Sequence, residues 1–563
     1  MLLEYKVEVI FGVPGDTNLP LYEAIYDTGP KIRHVMARDE RSAGFMADAY
    51  ARIAFKPGIC ECPSGAGALY SVPGVAEANA SSIPVILFTS DISLADEGRG
   101  AITALDHQKL FEPITKWSSF LKQTDKIPET VRRAFRVATT GRPGAVQLAF
   151  PHEVMTGDFP QGPQTIFAEL ECVTYPAYRT RGAQKILEEA VEYLLKAVRP
   201  VVIAGGGANH SQAQREILSL SEWLAAPVVT TISGQGIMPD DHPLALGVVG
   251  DNGFHPYANE AVEESDLLLY IGCKRGSVST IRWTLPSYRP TRKIIQIDLD
   301  PLQLSNNFAN TLDIGGDARL VVKDLVDRLM KEGKPRQPSP WVDDLNRKRG
   351  GFWAQSEASL HSNAVPIKPQ RIIHALNQRL SSPAIVIADA GTPTPYITRF
   401  LKLQGGGSRF LIPRSCGGLG YAIPAVVGAH FARPEAQLIA LFGDGSLGMS
   451  AGELETLVRL KIPAVLIHFN NGCFGWIKAL QALHSKGKFQ SVDFTAGNMA
   501  PLAEAWGLKA FHIERPEELG EGLDQAFSSR EPVFLDIVTE SEITELPPVF
   551  SWWQKAGKKE PSL

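Results

Sequence analysis

The chain has 563 residues, 44% of them hydrophobic and 21% charged, with a formal net charge of −5. That length suits about three or four domains, and the composition is that of a globular protein. The charge balance excludes the basic footprint of a nucleic-acid binder, the apolar runs fall short of the ~20 residues that span a bilayer, and six cysteines in so long a chain are no disulfide framework.

Met1 leads directly into a helical pattern and an early strand, with no secretory signal, so a cytoplasmic protein with reduced thiols is expected. Residues 7–11 read as a strand turned by Gly12-Val13-Pro14-Gly15. Residues 35–40 read as a second strand ending in an acid, followed by a helix over 41–51. Alone, an acid there is a solvated residue or one favoured by a helix start. Cys60 and Cys62 alternate with Ile59 and Glu61, which a buried strand explains better than a metal site. Residues 62–67 form a Gly-rich turn opening a helix over 72–80, and 83–89 are another buried strand. The segment 96–113, DEGRGAITALDHQKLFEP, is polar and rich in hydrogen-bonding groups.

A Pro/Gly/Gln-rich linker over 158–165, continuing to about 181, precedes a second alternation of strands and helices, with strands at 200–204, 267–271 and 294–298. Gly205-Gly206-Gly207 after the first of these suggests a nucleotide but lacks the spaced dinucleotide fingerprint. Residues 341–365 are a charged, partly helical connector. A strand at 384–389 runs into Ala390-Gly391-Thr392-Pro393-Thr394, where Thr392 could act as a helix N-cap. Arg414-Ser415-Cys416-Gly417-Gly418-Leu419-Gly420 precedes a helix over 422–430.

The densest signal lies between 437 and 476. An apolar run at 437–442 enters Gly443-Asp444-Gly445-Ser446, a helical pattern follows through Met449, Leu454, Leu457 and Val458, and a second apolar run at 464–469 ends at Asn470-Asn471. Such a strand–helix–strand unit makes the two strands parallel. Asp444 and Asn471 then sit at the carboxyl ends of neighbouring strands, where open α/β sheets bind ligands. A carboxylate oxygen, an amide oxygen and free carbonyls at Gly472-Cys473 are hard ligands of the kind that hold Mg²⁺ beside phosphates. The glycines let backbone N–H groups approach those phosphates.

Gly-Asp-Gly, 24 residues (446–469) and Asn-Asn resemble the signature of the thiamin diphosphate-dependent enzymes, with Asp444 and Asn471 27 positions apart (471 − 444). The order of the remaining motifs resembles the acetolactate synthase and pyruvate oxidase group over almost the whole chain. The resemblance implies an α/β protein of three doubly wound parallel-sheet domains: pyrimidine-binding (1–160), central (182–335) and diphosphate-binding (366–545). An aromatic tail over 546–563 either covers a site or packs as a terminus. It also implies Mg²⁺ held by Asp444, Asn471 and the carbonyl of Cys473. Gly391, Thr392, Thr394, Gly445, Ser446 and Phe474 would lie along the cofactor. Leu419 would prop the cofactor into its bent shape, and the carbonyl of Gly417 would hold its 4′-amino group. Glu40, in RDERSAGFMADAYAR, matches the family's catalytic acid, which hydrogen-bonds N1′ of the aminopyrimidine.

Departures accompany the match. The Gln expected ten residues before Pro113 falls on Thr103, and a Trp of acetolactate synthases is replaced by Leu480. Thr103, His107, Gln108, Trp476 and Leu480 are therefore the residues expected to meet substrate, although a surface-loop role fits the first three equally well. Residues 231–261 resemble the FAD-containing branch, whereas Gly276-Ser277 replaces that branch's acidic pair, so FAD and a purely structural middle domain both stay open. Overall the resemblance implies carbon–carbon bond cleavage or formation next to a carbonyl, on a 2-oxo acid or similar small molecule. The alternatives are an FAD-containing oxidoreductase and a lyase or hydrolase of another carbonyl compound. Neither nucleic acid nor membrane is an expected partner, and a homodimer or homotetramer would join Glu40 and Asp444 across a subunit interface.

Overall fold

The structure is a computed structural model that describes residues 1–159, 162, 165–403 and 409–557. Among the described residues eighteen strands form three six-stranded sheets, and every pairing between them is parallel. The first sheet holds Val9–Gly12 (β1), Arg33–Met36 (β2), Gly58–Cys62 (β3), Val85–Asp91 (β4), Trp117–Phe120 (β5) and Val146–Pro151 (β6). The second holds Pro200–Ala204 (β7), Val228–Thr230 (β8), Ala245–Val248 (β9), Leu267–Ile271 (β10), Lys293–Asp298 (β11) and Leu312–Gly315 (β12). The third holds Ala384–Ala388 (β13), Arg409–Leu411 (β14), Gln437–Gly443 (β15), Val465–Asn470 (β16), Lys509–Ile513 (β17) and Val533–Val538 (β18). The expected α/β class with three parallel sheets is borne out.

The first and third sheets share one topology, β2-β1-β3-β4-β6-β5 and β14-β13-β15-β16-β18-β17. Each reverses direction between its first and third strands, and crevices open beyond the strand ends at such a reversal. In the third sheet that point lies between β13 and β15, which delivers the Gly391 and Asp444 turns to one place.

Alternation along the strands sends side chains to two cores. Val9, Phe11, Cys60 and Leu87 enter one, whereas Ile10, Ile59, Ile86 and Leu148 enter another with Phe135. The first of these cores is continuous with the third sheet's, because the Glu40–Ala54 and Ala422–Ala432 helices pack face to face. Small residues permit the approach: a Cβ on Gly428 would stand 2.0 Å from the Met46 carbonyl oxygen. Gly428→Ala should accordingly destabilise the protein by about 1–3 kcal/mol through overpacking, read as a lowered thermal midpoint. A hydrogen bond crosses the same contact, the Tyr421 hydroxyl donating to Asp48 Oδ2 at 2.7 Å, while Arg52 Nε, on Asp48's own helix, donates to the same oxygen at 2.7 Å.

Several expected boundaries move. The strand expected over 35–40 stops at Met36, and Glu40 is the first residue of a helix whose N-cap is Asp39, not the end of a strand. An aspartate at that position satisfies a helix N–H that strand continuation would leave open: its Oδ1 accepts from the Arg41 N–H at 2.7 Å. The helix expected from 72 begins at Ala66. The helix after Asp444 is two helices, Asp444–Ser450 and Glu453–Leu460, joined through Ala451-Gly452. The linker expected to reach 181 is shorter, because Cys172, Val173 and Ala177 are buried in the first domain's core. Residues 160, 161, 163 and 164 of that linker, and 558–563 of the expected tail, lie outside the described residues.

Candidate active site

β15 ends at Gly443 and its parallel neighbour β16 at Asn470, so Asp444 and Asn471 leave adjacent strand ends. The Asn471 N–H donates to Asp444 Oδ2 at 3.1 Å, tying the two loops together. A cavity of about 550 Å³ opens over them. Gly391 and Thr392 reach it from the β13 turn, Gly417 and Leu419 from the loop before the Ala422–Ala432 helix, and Gly445 and Ser446 from the β15 turn. Cys473, Phe474, Trp476 and Leu480 complete the same wall, the last two from the Gly475–His484 helix. Gly391 at φ 128° and Gly417 at φ 69° hold backbone conformations that side chains resist.

Thr394 is the exception. It is fully buried, its hydroxyl donates to the Asp389 carbonyl at 2.8 Å, and it is absent from the cavity wall. The expectation that it contacts a diphosphate is corrected on that ground: the hydroxyl stitches its own turn instead.

The donor set suits a hard divalent cation. Burial raises the Asp444 carboxyl from its ordinary value, and His468 nearby opposes that shift. Among the described residues Asn471 Oδ1 meets the Cys473 thiol, a weak donor, at 3.2 Å. A carboxylate and an amide oxygen at adjacent strand ends are hard donors of the kind an oxygen-seeking ion takes. Among the described residues no group of three or more His, Cys, Asp or Glu side chains could hold a metal, so such a site rests on mixed carboxylate, amide and backbone oxygens. Gly445 has no room for a side chain, since a Cβ there would lie 2.4 Å from the Phe474 ring, and the backbone is left bare toward the cavity. The residues fit a cation and a phosphate-bearing group.

Glu40 does not line this cavity. It sits by Gly67, where a Cβ would come within 3.1 Å of its Oε1. Burial raises its carboxyl, and Asp39 and Glu61 add to the effect. Thr103 comes to the same neighbourhood: its hydroxyl pairs with Ser64 Oγ at 2.7 Å, and its Cβ would crowd one on Gly65 at 2.8 Å. His107 and Gln108 do not join it. His107 is 1% exposed, with Nδ1 on the Thr89 hydroxyl at 2.9 Å, and burial pulls its imidazole down to about 4. Gln108 is exposed on the surface.

A second cavity of about 300 Å³ lies over the middle sheet, at its reversal between β7 and β10. Gly205-Gly206-Gly207, Lys274, Gly276-Ser277 and Asp298 line it. Burial pushes Asp298 up to about 6 and Lys274 down to about 8. Ser277, Val278, Arg414 and Ser415 belong to the walls of both cavities.

Comparison with known proteins agrees with this arrangement. The description "Thiamine pyrophosphate enzyme, N-terminal TPP binding domain" matches residues 1–110, "central domain" matches 187–325 and "C-terminal TPP binding domain" matches 389–537. The chain belongs to the thiamine pyrophosphate enzymes. Among curated relatives of this thiamine pyrophosphate enzyme, the probable acetolactate synthase large subunit of Methanocaldococcus jannaschii is 36% identical over 94% of this chain and 89% of its own length. The acetolactate synthase of Mycobacterium bovis is 31% identical over 97% and 88%. The acetolactate synthase large subunit of Haemophilus influenzae is 31% identical over 96% and 93%. No helix among the described residues is long and apolar enough to cross a membrane.

Around the site of this thiamine pyrophosphate enzyme the structure adds residues that sequence reasoning missed. Glu77 accepts from the Ser415 and Cys416 N–H groups at 3.2 and 2.7 Å, so the first domain fixes the loop carrying Gly417 and Leu419. His468 is fully buried, with Nδ1 on Asp536 at 2.8 Å and Nε2 3.6 Å from Asp444. Glu542 accepts from Asn471 Nδ2 at 2.7 Å. A His alternating inside an apolar strand was the one signal available, in AVLIHF; Glu77 and Glu542 sit in stretches that read as ordinary helix and loop. The described part of the tail forms a wall: Val549, Ser551 and Trp552 face the Asp444 cavity, and Trp552 lies 4.3 Å from Trp476 between ring centroids.

Proposed function

We propose that this chain is an acetolactate synthase-like enzyme that decarboxylates 2-oxo acids and joins the resulting fragment to a second carbonyl compound, using thiamin diphosphate and Mg²⁺. The convergence of Gly391, Leu419, Asp444 and Asn471 on one cavity carries this reading. When bound, the cofactor supplies the nucleophilic carbon and the electron sink. The protein's share is positional. Asp444, Asn471 and the Cys473 carbonyl would hold the cation, while Thr392 and the backbone at Gly445 and Ser446 would meet the diphosphate oxygens. Leu419 would press on the cofactor from below, setting proximity by packing. Glu40, its carboxyl raised by burial, would hold and return a proton at a pyrimidine ring nitrogen. Trp476, Leu480 and Trp552 would keep water from the reacting carbon, and Thr103 would face substrate from the Glu40 side.

Glu40 and Asp444 belong to separate places in one chain, which favours a homodimer or homotetramer that joins them across subunits. Leu69, Tyr70 and Ile102, exposed on segments beside Gly65 and Thr103, supply an apolar surface for that contact. A cytoplasmic setting goes with six unpaired cysteines. With thiamin diphosphate and Mg²⁺ supplied, purified protein should release CO₂ and form ketols from members of a 2-oxo acid panel. Cofactor uptake without either product would remove the reading.

One observation favours a second reading, an FAD-containing oxidoreductase of the pyruvate oxidase kind: the glycine-lined cavity of the middle sheet shares walls with the Asp444 cavity. Bound flavin would give the purified protein an absorbance band at about 450 nm, and transfer to an electron acceptor would replace ketol formation. A colourless, active protein retires this alternative.

A further inference from the structure

An asparagine side chain offers an oxygen at one end and an NH₂ group at the other, nearly identical in shape. Turned one way Asn471 presents an acceptor to a cation; turned the other way it presents two positive hydrogens. Something must choose between them. Glu542, in the loop after β18 and 2% exposed, places Oε1 2.7 Å from Asn471 Nδ2. A carboxylate only accepts, so this contact admits the NH₂ end alone and directs Oδ1 the opposite way. On that side, among the described residues, Oδ1 meets the weakly donating Cys473 thiol.

The neighbourhood is shaped around the carboxyl group. Gly475, which opens the helix carrying Trp476 and Leu480, packs directly on it: a Cβ at that position would fall 2.3 Å from both Glu542 Cδ and Oε1. Glu542 Oε2 is buried and has no hydrogen-bond partner among the described residues. The Thr392 side chain also reaches the carboxyl, and an acid buried beside the half-buried Asp444 is costly unless a bound cation nearby offsets the charge.

We propose that Glu542 is a positioning residue that locks the Asn471 amide with its oxygen toward the cation, and so sets the enzyme's affinity for Mg²⁺ without touching substrate. The inference rests on the reading of Asn471 as a cation ligand. Glu542 also lies past residue 537, where the match to the family's C-terminal domain ends.

Full-length protein at fixed thiamin diphosphate is titrated with Mg²⁺, and cofactor uptake is followed through intrinsic tryptophan fluorescence and calorimetry. Glu542→Met keeps the side chain's length but removes the acceptor, and should raise half-saturating Mg²⁺ about 10–100-fold. Glu542→Gln, which still accepts through Oε1 but can also turn its own NH₂ toward Asn471, should fall between the parent and the Met variant. The thermal midpoint of the cofactor-free proteins reports folding separately, and Glu542→Ala replaces the Met variant if that one is not recovered folded. Uptake by the parent with an unchanged Mg²⁺ requirement in the Met or Ala variant overturns the role of Glu542 and leaves the cation site standing. A Gln variant as impaired as Met also overturns it, because charge rather than amide orientation would then be at work. No uptake by the parent at any Mg²⁺ concentration instead removes the cation site, and this inference with it.

Discussion

Glu40→Gln should bind thiamin diphosphate and Mg²⁺ like the parent and turn over about 10²–10⁴-fold more slowly, the range typical of a lost general acid–base group. The substitution keeps the size of the side chain and its place at the helix start, so folding should be unaffected. What it removes is a carboxyl whose affinity for a proton burial has raised, with Asp39 and Glu61 contributing. An amide cannot exchange that proton with a ring nitrogen. The check is paired: calorimetry for cofactor uptake, and CO₂ release under saturating cofactor for turnover. Unchanged turnover would remove Glu40 from the chemistry.

Asp444→Ala should produce the opposite pattern, a failure of uptake before any chemistry. Asp444 is the one carboxylate among the proposed cation ligands, and its Oδ2 also accepts the N–H that draws the Asn471 loop close. Losing it removes a charge from the cation and a tie between two loops together. Apparent affinity for thiamin diphosphate in the presence of Mg²⁺ should fall by more than about 100-fold, beyond the loss usual for an outer partner of a metal ligand. Chelation of Mg²⁺ from the parent should reproduce the defect reversibly. An Asp444→Ala protein with parental uptake would place the cation elsewhere.

Much of the fold was legible because parallel strands buried on both faces leave continuous apolar runs, such as 200–204 and 267–271, which fall on β7 and β10 respectively. Legibility faded at strand ends. Residues 37–40 carry no turn signal strong enough to mark where β2 stops, and the Asp39 cap decides it. In the site, residues on turns after strands were found by motif, since turn chemistry is local. Thr394 misled because a hydroxyl in the right turn can point inward as easily as outward. Glu77, His468 and Glu542 act across 338, 24 and 71 positions of chain, on Ser415, Asp444 and Asn471 respectively. Spacing within one segment carries no trace of such pairings.

The shared core between the Glu40–Ala54 and Ala422–Ala432 helices bears on how the polypeptide can be dissected. A protease that nicks the stretches between sheets should leave pieces that stay bound, because Phe45, Ala49 and Val426 remain interdigitated. Expressed alone, a fragment bearing only the first sheet would bare that apolar face and precipitate. Cofactor-binding halves of this protein are therefore expected to be inseparable in practice, despite each having a complete sheet of its own.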